Sequence, residues 1–208
     1  MQFSDAFRTE LSSLMQWRRD VREFKTDPVD EALVDQCLDA FLTAPSVGLS
    51  EPWRILRVRS ETARENALKN FNTANAQALG GYQGAQKQKY ASLKLSGMRD
   101  APVQFAVYCD DSTEQGSGLG ATSMPEMRRY SVVCAVFNFW LYCRSLGLGL
   151  GWVSILDPDQ LNTDLNADPN WSLIGYFCMG WPKNFDDTPA LERAEWEQRR
   201  GHLIIEDR

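Results

Sequence analysis

The chain contains a single histidine, His202, among its 208 residues. A serine–histidine–aspartate triad, a histidine-rich zinc or iron centre and a histidine general base in the core are therefore disfavoured. The sequence predicts no metal site, and any acid–base chemistry falls to other residue types.

Cysteine motifs for metal binding or redox exchange are also missing. None of the five cysteines belongs to a C-x-x-C motif, and their surroundings are apolar. We therefore expect reduced, buried, small hydrophobic residues of a cytoplasmic protein. They are Cys37, Cys109, Cys134, Cys143 and Cys178.

Membrane and nucleic-acid signals are weak as well. The longest nearly apolar run, residues 132–143, is broken by Asn138 and followed by Arg144, so it is too short to cross a bilayer. The first residues lack the basic and apolar regions of a secretory signal. The net charge of −6 disfavours a nucleic-acid surface. We expect a cytoplasmic location, with no membrane and no nucleic acid as partner.

No usual nucleotide fingerprint is present. The glycines of Gly147-Leu148-Gly149-Leu150-Gly151 alternate, but the segment follows a predicted helix and enters a predicted strand, the reverse of the Rossmann order. We interpret it as a turn that needs special backbone angles.

Hydrophobic residues make up 43% of the chain, enough to fill the core of one domain over residues 1–208. Helices and strands are mixed without regular alternation, which predicts an α+β fold. The predicted helices are 3–17, 30–44, 60–75, 83–96, 125–147 and a short one after Pro158. The predicted strands are 53–59, 103–109, 151–156 and 173–181.

The second half of the helix at 125–147 is apolar nearly all round. Such a helix is buried on every side, which a small domain achieves by packing against a partner subunit as well as its own sheet. We therefore expect an obligate homodimer. The charged residues from about 182 to 208 are expected to wrap around the neighbour.

Three arginines, Arg18, Arg19 and Arg22, lie within five residues and enclose Asp20 and Val21. Arginines at this density repel one another unless an anion lies between them, and their planar donors suit phosphate or carboxylate oxygens. The alternative is a solvated charged turn that closes the first helix.

Two other segments contain candidate ligand-binding residues. Residues 44–53 join a helix to a strand through small residues and hydroxyls, which allows a flat ligand or a phosphate to approach the backbone. Alternatively, this is an ordinary loop. Ser154 is the one hydroxyl in the apolar strand 151–156, and a backbone carbonyl is its simplest partner.

Several of these segments together resemble a known family. They are Trp17-Arg18-Arg19-Asp20-Val21-Arg22, Ala44-Pro45-Ser46-Val47-Gly48 with Pro52-Trp53, Lys94-Leu95-Ser96-Gly97 before Ala101-Pro102, Met124-Pro125-Glu126 before Tyr130-Ser131-Val132-Val133-Cys134-Ala135, and Gly151-Trp152-Val153-Ser154-Ile155-Leu156-Asp157-Pro158. In this order, over about residues 14–182, they resemble the 5,6-dimethylbenzimidazole synthase branch of the nitroreductase-like flavoproteins.

The resemblance implies a nitroreductase-like fold with a central, mostly antiparallel sheet flanked by helices, in an intertwined homodimer with two FMN sites at the interface. It implies that reduced FMN is a substrate, supplied by a separate flavin reductase. Molecular oxygen is the co-substrate, and the products are 5,6-dimethylbenzimidazole, the lower ligand of cobalamin, and erythrose 4-phosphate. The implied FMN contacts are Arg18, Arg19, Asp20, Val21, Arg22, Ser46, Val47, Gly48, Lys94, Trp152, Val153 and Ser154.

Within this picture Asp20 and Ser154 are the candidate catalytic residues. Ordinary nitroreductases tend to have a neutral hydroxyl residue at the position of Asp20, whose arginine neighbours favour the ionised form and hence a base. Ser154 is expected to hydrogen-bond the flavin or orient oxygen. Two positions depart from the family pattern: Glu51 replaces a usual glutamine and Ala121 a frequent arginine.

Two other functions are compatible with the same residues. The first is an NAD(P)H-dependent nitroreductase or flavin reductase that retains FMN as a cofactor. The second is a non-catalytic protein that binds a flavin or a tetrapyrrole precursor. Retention of yellow FMN through purification would favour the reductase, and simple FMN binding that leaves reduced FMN unchanged in air would favour the binding protein.

Overall fold

The centre of the protein is a four-stranded sheet in which every neighbouring pair of strands is antiparallel. The structure is a computed structural model and describes residues 2–208. The strand order is β1-β2-β4-β3, so β1 and β3 are the edge strands. The strands are β1 Trp53–Arg57, β2 Val103–Asp110, β3 Gly149–Val153 and β4 Trp171–Gly180.

Helices cover both faces of this sheet, which confirms the predicted α+β fold with a central antiparallel sheet. They are α1 Asp5–Trp17, α2 Glu31–Leu38, α3 Glu61–Gly80, α4 Gly84–Ser92, α5 Met127–Ser145, α6 Pro158–Asp164 and α7 Ala190–Arg193. Two short 3₁₀ helices, Asp39–Thr43 and Val47–Leu49, follow α2.

Strand alternation divides the core into two layers. On β2, Phe105 and Val107 face the layer formed with α2 and α5, while Ala106 and Tyr108 face the layer formed with α3 and α6. The long central helix α5 therefore packs on one face of the sheet.

The free edge of β3 is covered by the segment that follows α1. The N–H of Val21 donates to the carbonyl of Leu150 at 3.0 Å, and Asp20 and Leu150 form a parallel bridge. A Cβ on Gly151 would lie 2.2 Å from the carbonyl oxygen of Val21, and one on Gly149 would lie 2.8 Å from the Val21 side chain. Our interpretation of these glycines as a turn was therefore right only for Gly147, whose φ is +80°. Gly149 and Gly151 leave room for residues 18–22, which we call the arginine segment.

The strand β4 contains a β-bulge beside its pairing with β2. Val107 pairs with Gly175 and Tyr108 pairs with Leu173, which leaves Ile174 as the extra residue. Such a bulge bends the strand and re-aims its backbone groups.

The helices α1 and α5 keep apolar side chains exposed in the single chain. No residue of α1 is buried. In the single chain α5 is buried on one side: Val132 and Phe139 are buried, whereas Val133 and Phe137 are 40% and 43% exposed, so the predicted burial on every side would require a partner subunit. Cys134 lies on the same outer face, so the prediction of buried cysteines holds for the other four alone.

The C-terminal segment after β4 has two parts. Residues 182–196 contact their own chain, and the N–H of Lys183 donates to the carbonyl of Glu23 at 3.0 Å. Residues 197–208 are exposed throughout, including Leu203 at 83%. Within residues 2–208, no helix has the length and apolar character that crossing a bilayer requires.

Candidate functional site

A cavity of about 250 Å³ lies beside the edge of β3 and is closed by three parts of the chain. The first is the arginine segment, the second follows α4, and the third is the C-terminal segment. The lining residues include Arg19, Asp20, Val21, Arg22, Ser92, Lys94, Asn184, Asp186 and Arg193.

The carboxylate of Asp20 is held at both oxygens. Oδ1 accepts the backbone N–H of Trp152 at 2.8 Å, and Oδ2 accepts Nε of Arg22 at 2.7 Å. Because β3 is an edge strand, no further strand offers a backbone carbonyl to the N–H of Trp152. The Asp20 carboxylate is the acceptor in its place. Each carboxylate oxygen keeps a second lone pair, so Asp20 can still accept a proton from a ligand.

Arg19 lines the cavity without a full set of partners. Its Nη1 donates to the carbonyl of Arg18 at 2.7 Å and its Nη2 contacts the carbonyl of Asp187, but its buried Nε has no partner within residues 2–208. Burial, together with the charges of Arg199 and Arg18, lowers the pKa of Arg19. These guanidiniums repel one another, and an anion bound between them relieves that repulsion.

Arg18 is placed differently from its neighbours. Its guanidinium lies 4.6 Å from the ring centre of Trp140, a cation–π distance, and it is absent from the lining of the cavity. Burial lowers the pKa of Arg18, against the charge of Asp20, which raises it. The structure thus brings Arg19 and Arg22 to the cavity and Arg18 to the face of α5.

Lys94 belongs to the cavity wall, but its ammonium group is turned to another partner. Its carbonyl accepts Nη1 of Arg22 at 3.1 Å, and its ammonium lies 3.4 Å from Asp100. Lys183 contacts the same carboxylate at 3.3 Å. Burial raises the pKa of Asp100, but the two lysines outweigh it and lower that pKa overall.

The C-terminal wall of the cavity was missed by the sequence analysis. Arg193 lines it and pairs with Asp186 at 2.9 Å. Trp196 holds the wall in place by packing edge-on against Tyr82 and Tyr90, at 5.6 and 6.1 Å between ring centres. No local pattern signals this wall, because its partners lie about a hundred residues earlier in the chain.

The loop at Ser46, Val47 and Gly48 lies outside the cavity in the single chain. Its conformation is fixed by Ser131 of α5, whose hydroxyl accepts the N–H of Val47 at 3.0 Å. Gly48 has φ +59°, and a Cβ at this position would lie 2.8 Å from the carbonyl oxygen of Leu119, so a side chain would collide. Within residues 2–208, the loop is thus held by contacts with other segments and does not line the cavity.

Trp152, Val153 and Ser154 lie at the end of β3. The backbone of Trp152 contacts Asp20, whereas Val153 is buried among α3 and α6 side chains. Ser154 is exposed directly after the strand, and its carbonyl accepts the N–H of Leu156 at 3.1 Å. The hydroxyl is thus available to a ligand, but it does not line the cavity.

The two departures from the family pattern have local explanations. The carboxylate of Glu51 accepts Nε2 of Gln115 at 3.2 Å, a contact within the chain. Ala121 is 3% exposed in the loop before α5, where a long cationic side chain would have no room.

The donor set of the cavity fits FMN. Arg19 offers a buried donor without a partner, and Arg22 adds a second guanidinium beside it. Guanidinium donors suit a phosphate group. The cavity is smaller than the about 300–1,000 Å³ typical of small-molecule sites, so one chain encloses only part of a flavin-sized ligand.

Comparison with known proteins identifies the class. The model of the Nitroreductase family matches residues 15–181, and the chain belongs to this family. A 5,6-dimethylbenzimidazole synthase of Rhodospirillum rubrum is 46% identical over 98% of this chain and 96% of that protein. Another from Rhodobacter capsulatus is 44% identical over 95% of this chain and 96% of that protein. The family resemblance seen in the sequence is confirmed.

Solved structures agree on the fold. The crystal structure of an iodotyrosine deiodinase bound to FMN and 3-iodo-L-tyrosine superposes with a TM-score of 0.75, covering 94% of this chain and 97% of that one at 20% identity. The nitroreductase-like fold is confirmed.

Proposed function

We propose that the protein is a 5,6-dimethylbenzimidazole synthase that fragments reduced FMN with molecular oxygen, releasing erythrose 4-phosphate as the second product. The similarity to synthases along almost the whole chain carries this proposal. An acidic residue inside an arginine cavity supports it, because ring fragmentation requires proton transfers that simple hydride transfer does not.

Arg19 and Arg22 are the residues that would hold the phosphate of the flavin, and Arg193 would neutralise further negative charge from the opposite wall. Reduced flavin, when bound, supplies the electrons and the ring carbons for the reaction with oxygen. Asp20 accepts a proton at Oδ1 or Oδ2, since each oxygen has one lone pair left after the contacts with Trp152 and Arg22.

Ser154 is proposed to donate or accept a hydrogen bond at the ring of the ligand. Its exposure at the end of β3, two residues after the backbone N–H that binds Asp20, supports this role. Ser46, Val47 and Gly48 are proposed to reach the site from the partner subunit, which agrees with their absence from the lining of the cavity in their own chain.

We propose that the functional unit is a homodimer whose interface includes the outer faces of α1 and α5. Tyr130, Val133 and Phe137 are spaced along one side of α5 and are all exposed in the single chain. Exposed apolar surface of this extent is typical of subunit interfaces. The exposed residues 197–208 are proposed to wrap the partner. A separate flavin reductase is proposed to supply reduced FMN.

The test is product analysis. The purified protein is incubated in air with FMN and a reductase with NADH, and the mixture is separated by chromatography. We expect 5,6-dimethylbenzimidazole to form in proportion to the protein, and none under anaerobic conditions or with reductase alone. If reduced FMN is only reoxidised, the proposed function is wrong.

The family assignment itself favours one second candidate, a nitroreductase or flavin reductase that retains FMN. Such a protein would be yellow after purification and would oxidise NAD(P)H without the added reductase. A synthase that uses flavin as a substrate would release it. Absorbance at the flavin bands after gel filtration distinguishes the two.

A further inference from the structure

Trp152 belongs to the site through its backbone, but its side chain points across the sheet. The indole Nε1–H donates to the carbonyl of Ile174 at 3.2 Å. Ile174 is the extra residue of the β-bulge on β4, so its backbone lies outside the regular pairing with β2. The bulge thus supplies the acceptor for the indole.

Gly175 leaves the space that the indole of Trp152 occupies. A Cβ at this position would lie 2.0 Å from Nε1 of Trp152, a distance that no side chain can adopt. Phe177 and Trp140 close the other sides, with ring centres 5.0 and 6.3 Å from that of Trp152. We call the group formed by Ile174, Gly175 and Phe177 the indole socket.

The backbone N–H of the same tryptophan donates to Oδ1 of Asp20 at 2.8 Å. Because β3 is an edge strand, this end of it is held by β4 on one side and by the arginine segment on the other. An indole fixed by hydrogen bond and shape restricts the backbone that carries it. The direction of the N–H therefore depends on the socket.

We propose that Trp152 is a positioning residue for Asp20, and that the indole socket on β4 fixes the N–H that orients the Asp20 carboxylate. This proposal rests on the proposed function, in which Asp20 is the base. In this proposal the side chain of Trp152 contacts the sheet and not the ligand. Gly175 and the bulge at Ile174 serve to hold that side chain in place.

The first experiment replaces the indole and leaves an aromatic ring. Trp152→Phe removes the Nε1–H and should lower kcat for 5,6-dimethylbenzimidazole formation about 10-fold, the scale of a small misplacement of a catalytic group, with an unchanged KM for reduced FMN. Trp171→Phe is the matched control, since Trp171 begins β4, the strand that contains the indole socket, and packs on Tyr108 on the far side of the bulge. It should keep the parental kcat.

The second experiment fills the socket. Gly175→Ala should lower kcat more than Trp152→Phe does, and the double variant should recover part of that loss because phenylalanine leaves room for the added methyl group. Thermal unfolding checks that each variant folds. If Gly175→Ala does not fold, Trp152→Phe and its control decide the matter.

The third experiment asks whether Trp152 acts through Asp20. In an Asp20→Asn background, Trp152→Phe should cause no further loss, because the orientation of a group that no longer accepts a proton has no effect on rate. A purely structural role for the indole predicts the same fold-loss in both backgrounds, and that result would overturn the proposal.

A readout without turnover separates this inference from the proposed function. Hydrogen exchange by NMR should show the amide of residue 152 exchanging about 10-fold faster in Trp152→Phe than in the parent, since a displaced N–H loses its acceptor. Absence of product from the parent would rule out the proposed function but would not test the link between the indole and the N–H of Trp152. Parental amide exchange in Trp152→Phe, or parental kcat in a protein that makes product, would end the positioning role.

Discussion

At the scale of single residues, one carboxylate holds the sheet edge and is also the proposed base. Asp20 caps an edge-strand N–H of β3 and pairs with Arg22, and both contacts leave it a lone pair for chemistry.

Replacing Asp20 by Asn tests its catalytic task. Asn keeps an oxygen for the N–H of Trp152 but cannot accept a proton, so fragmentation should fall by about two to four orders of magnitude. Chromatography of the product gives the rate, and anaerobic titration with reduced FMN should show that binding persists. Asp35→Asn, at an exposed carboxylate of α2 that pairs with Arg57, is the matched control. Product at the parental rate from Asp20→Asn would end its assignment as base.

Replacing Arg19 by Ala tests the anion site. We expect FMN binding to weaken by about 1.5–3 kcal/mol, the usual contribution of a hydrogen bond to a charged group. Calorimetric titration measures the change, with Arg59→Ala as the control because Arg59 pairs with Glu31 away from the cavity. Equal affinity in the Arg19 variant and the parent would favour the alternative of a solvated charged turn.

The sequence indicates these two residues because they are neighbours in it. Repulsion among Arg18, Arg19 and Arg22 is apparent without any structure, and so is the absence of histidine other than His202. Arg193 could not be foreseen, since its approach to Arg19 depends on how residues 182–196 return to the start of the chain. Equally, nothing local indicates that Arg18 stacks on Trp140 instead of lining the cavity.

At the scale of elements, β3 and the arginine segment depend on a close backbone approach. The Val21 carbonyl lies 2.2 Å from the place where a Cβ of residue 151 would stand. A glycine here serves contact between two segments, and its φ is not in the left-handed region. Sequence alone suggested a turn because alternating glycines are common in turns, whereas the partner segment lies far away in the chain.

Gly151→Ala should therefore separate the segment from β3. We expect a loss of about 1–3 kcal/mol in the free energy of unfolding, the range of strained core substitutions, and weaker FMN binding. Gly80→Ala is the matched control, because no atom lies within 4 Å of the added methyl group at the end of α3. That change should be neutral or mildly stabilising. Urea unfolding of both variants provides the comparison, and equal stabilities would contradict the close approach.

At the scale of the whole molecule, the exposed faces of α1 and α5 predict association. Light scattering at micromolar concentration should give the mass of a dimer, and Phe137→Glu should shift it toward the monomer by placing a charge in the apolar interface. Thr73→Glu, on the exposed face of α3, adds the same charge on the opposite side of the sheet and should leave the dimer intact. If the parent protein is a folded monomer, the proposal of a site shared between two subunits is wrong.

Acid should destabilise the fold through its paired carboxylates. For Asp110 and Asp111, burial raises the pKa, but hydrogen bonds and the nearby arginines Arg54 and Arg129 outweigh it and lower both values. A lowered pKa contributes stability above the unfolded value, about 3.9, that is lost as the pH falls through the folded value.

The free energy of unfolding should thus be level from about pH 7 to pH 5 and fall below about pH 4. Urea titrations at a series of pH values measure this. Asp111→Asn should weaken the acid dependence, since it removes one of these carboxylates together with its contact with Arg129 at 2.8 Å. An unchanged acid dependence in that variant would exclude Asp111 as a source.

The arginine segment on the edge of β3 also affects the tendency of the protein to aggregate in a crowded solution. An uncovered edge strand offers free N–H and C=O groups to any other extended chain and is a common starting point of aggregation. Here Val21 and Asp20 occupy that edge, and the same segment presents Arg19 and Arg22 to the ligand. A ligand that holds these arginines in place would therefore also keep the sheet closed against aberrant pairing, and the proposed binding of a flavin would protect the protein from aggregation.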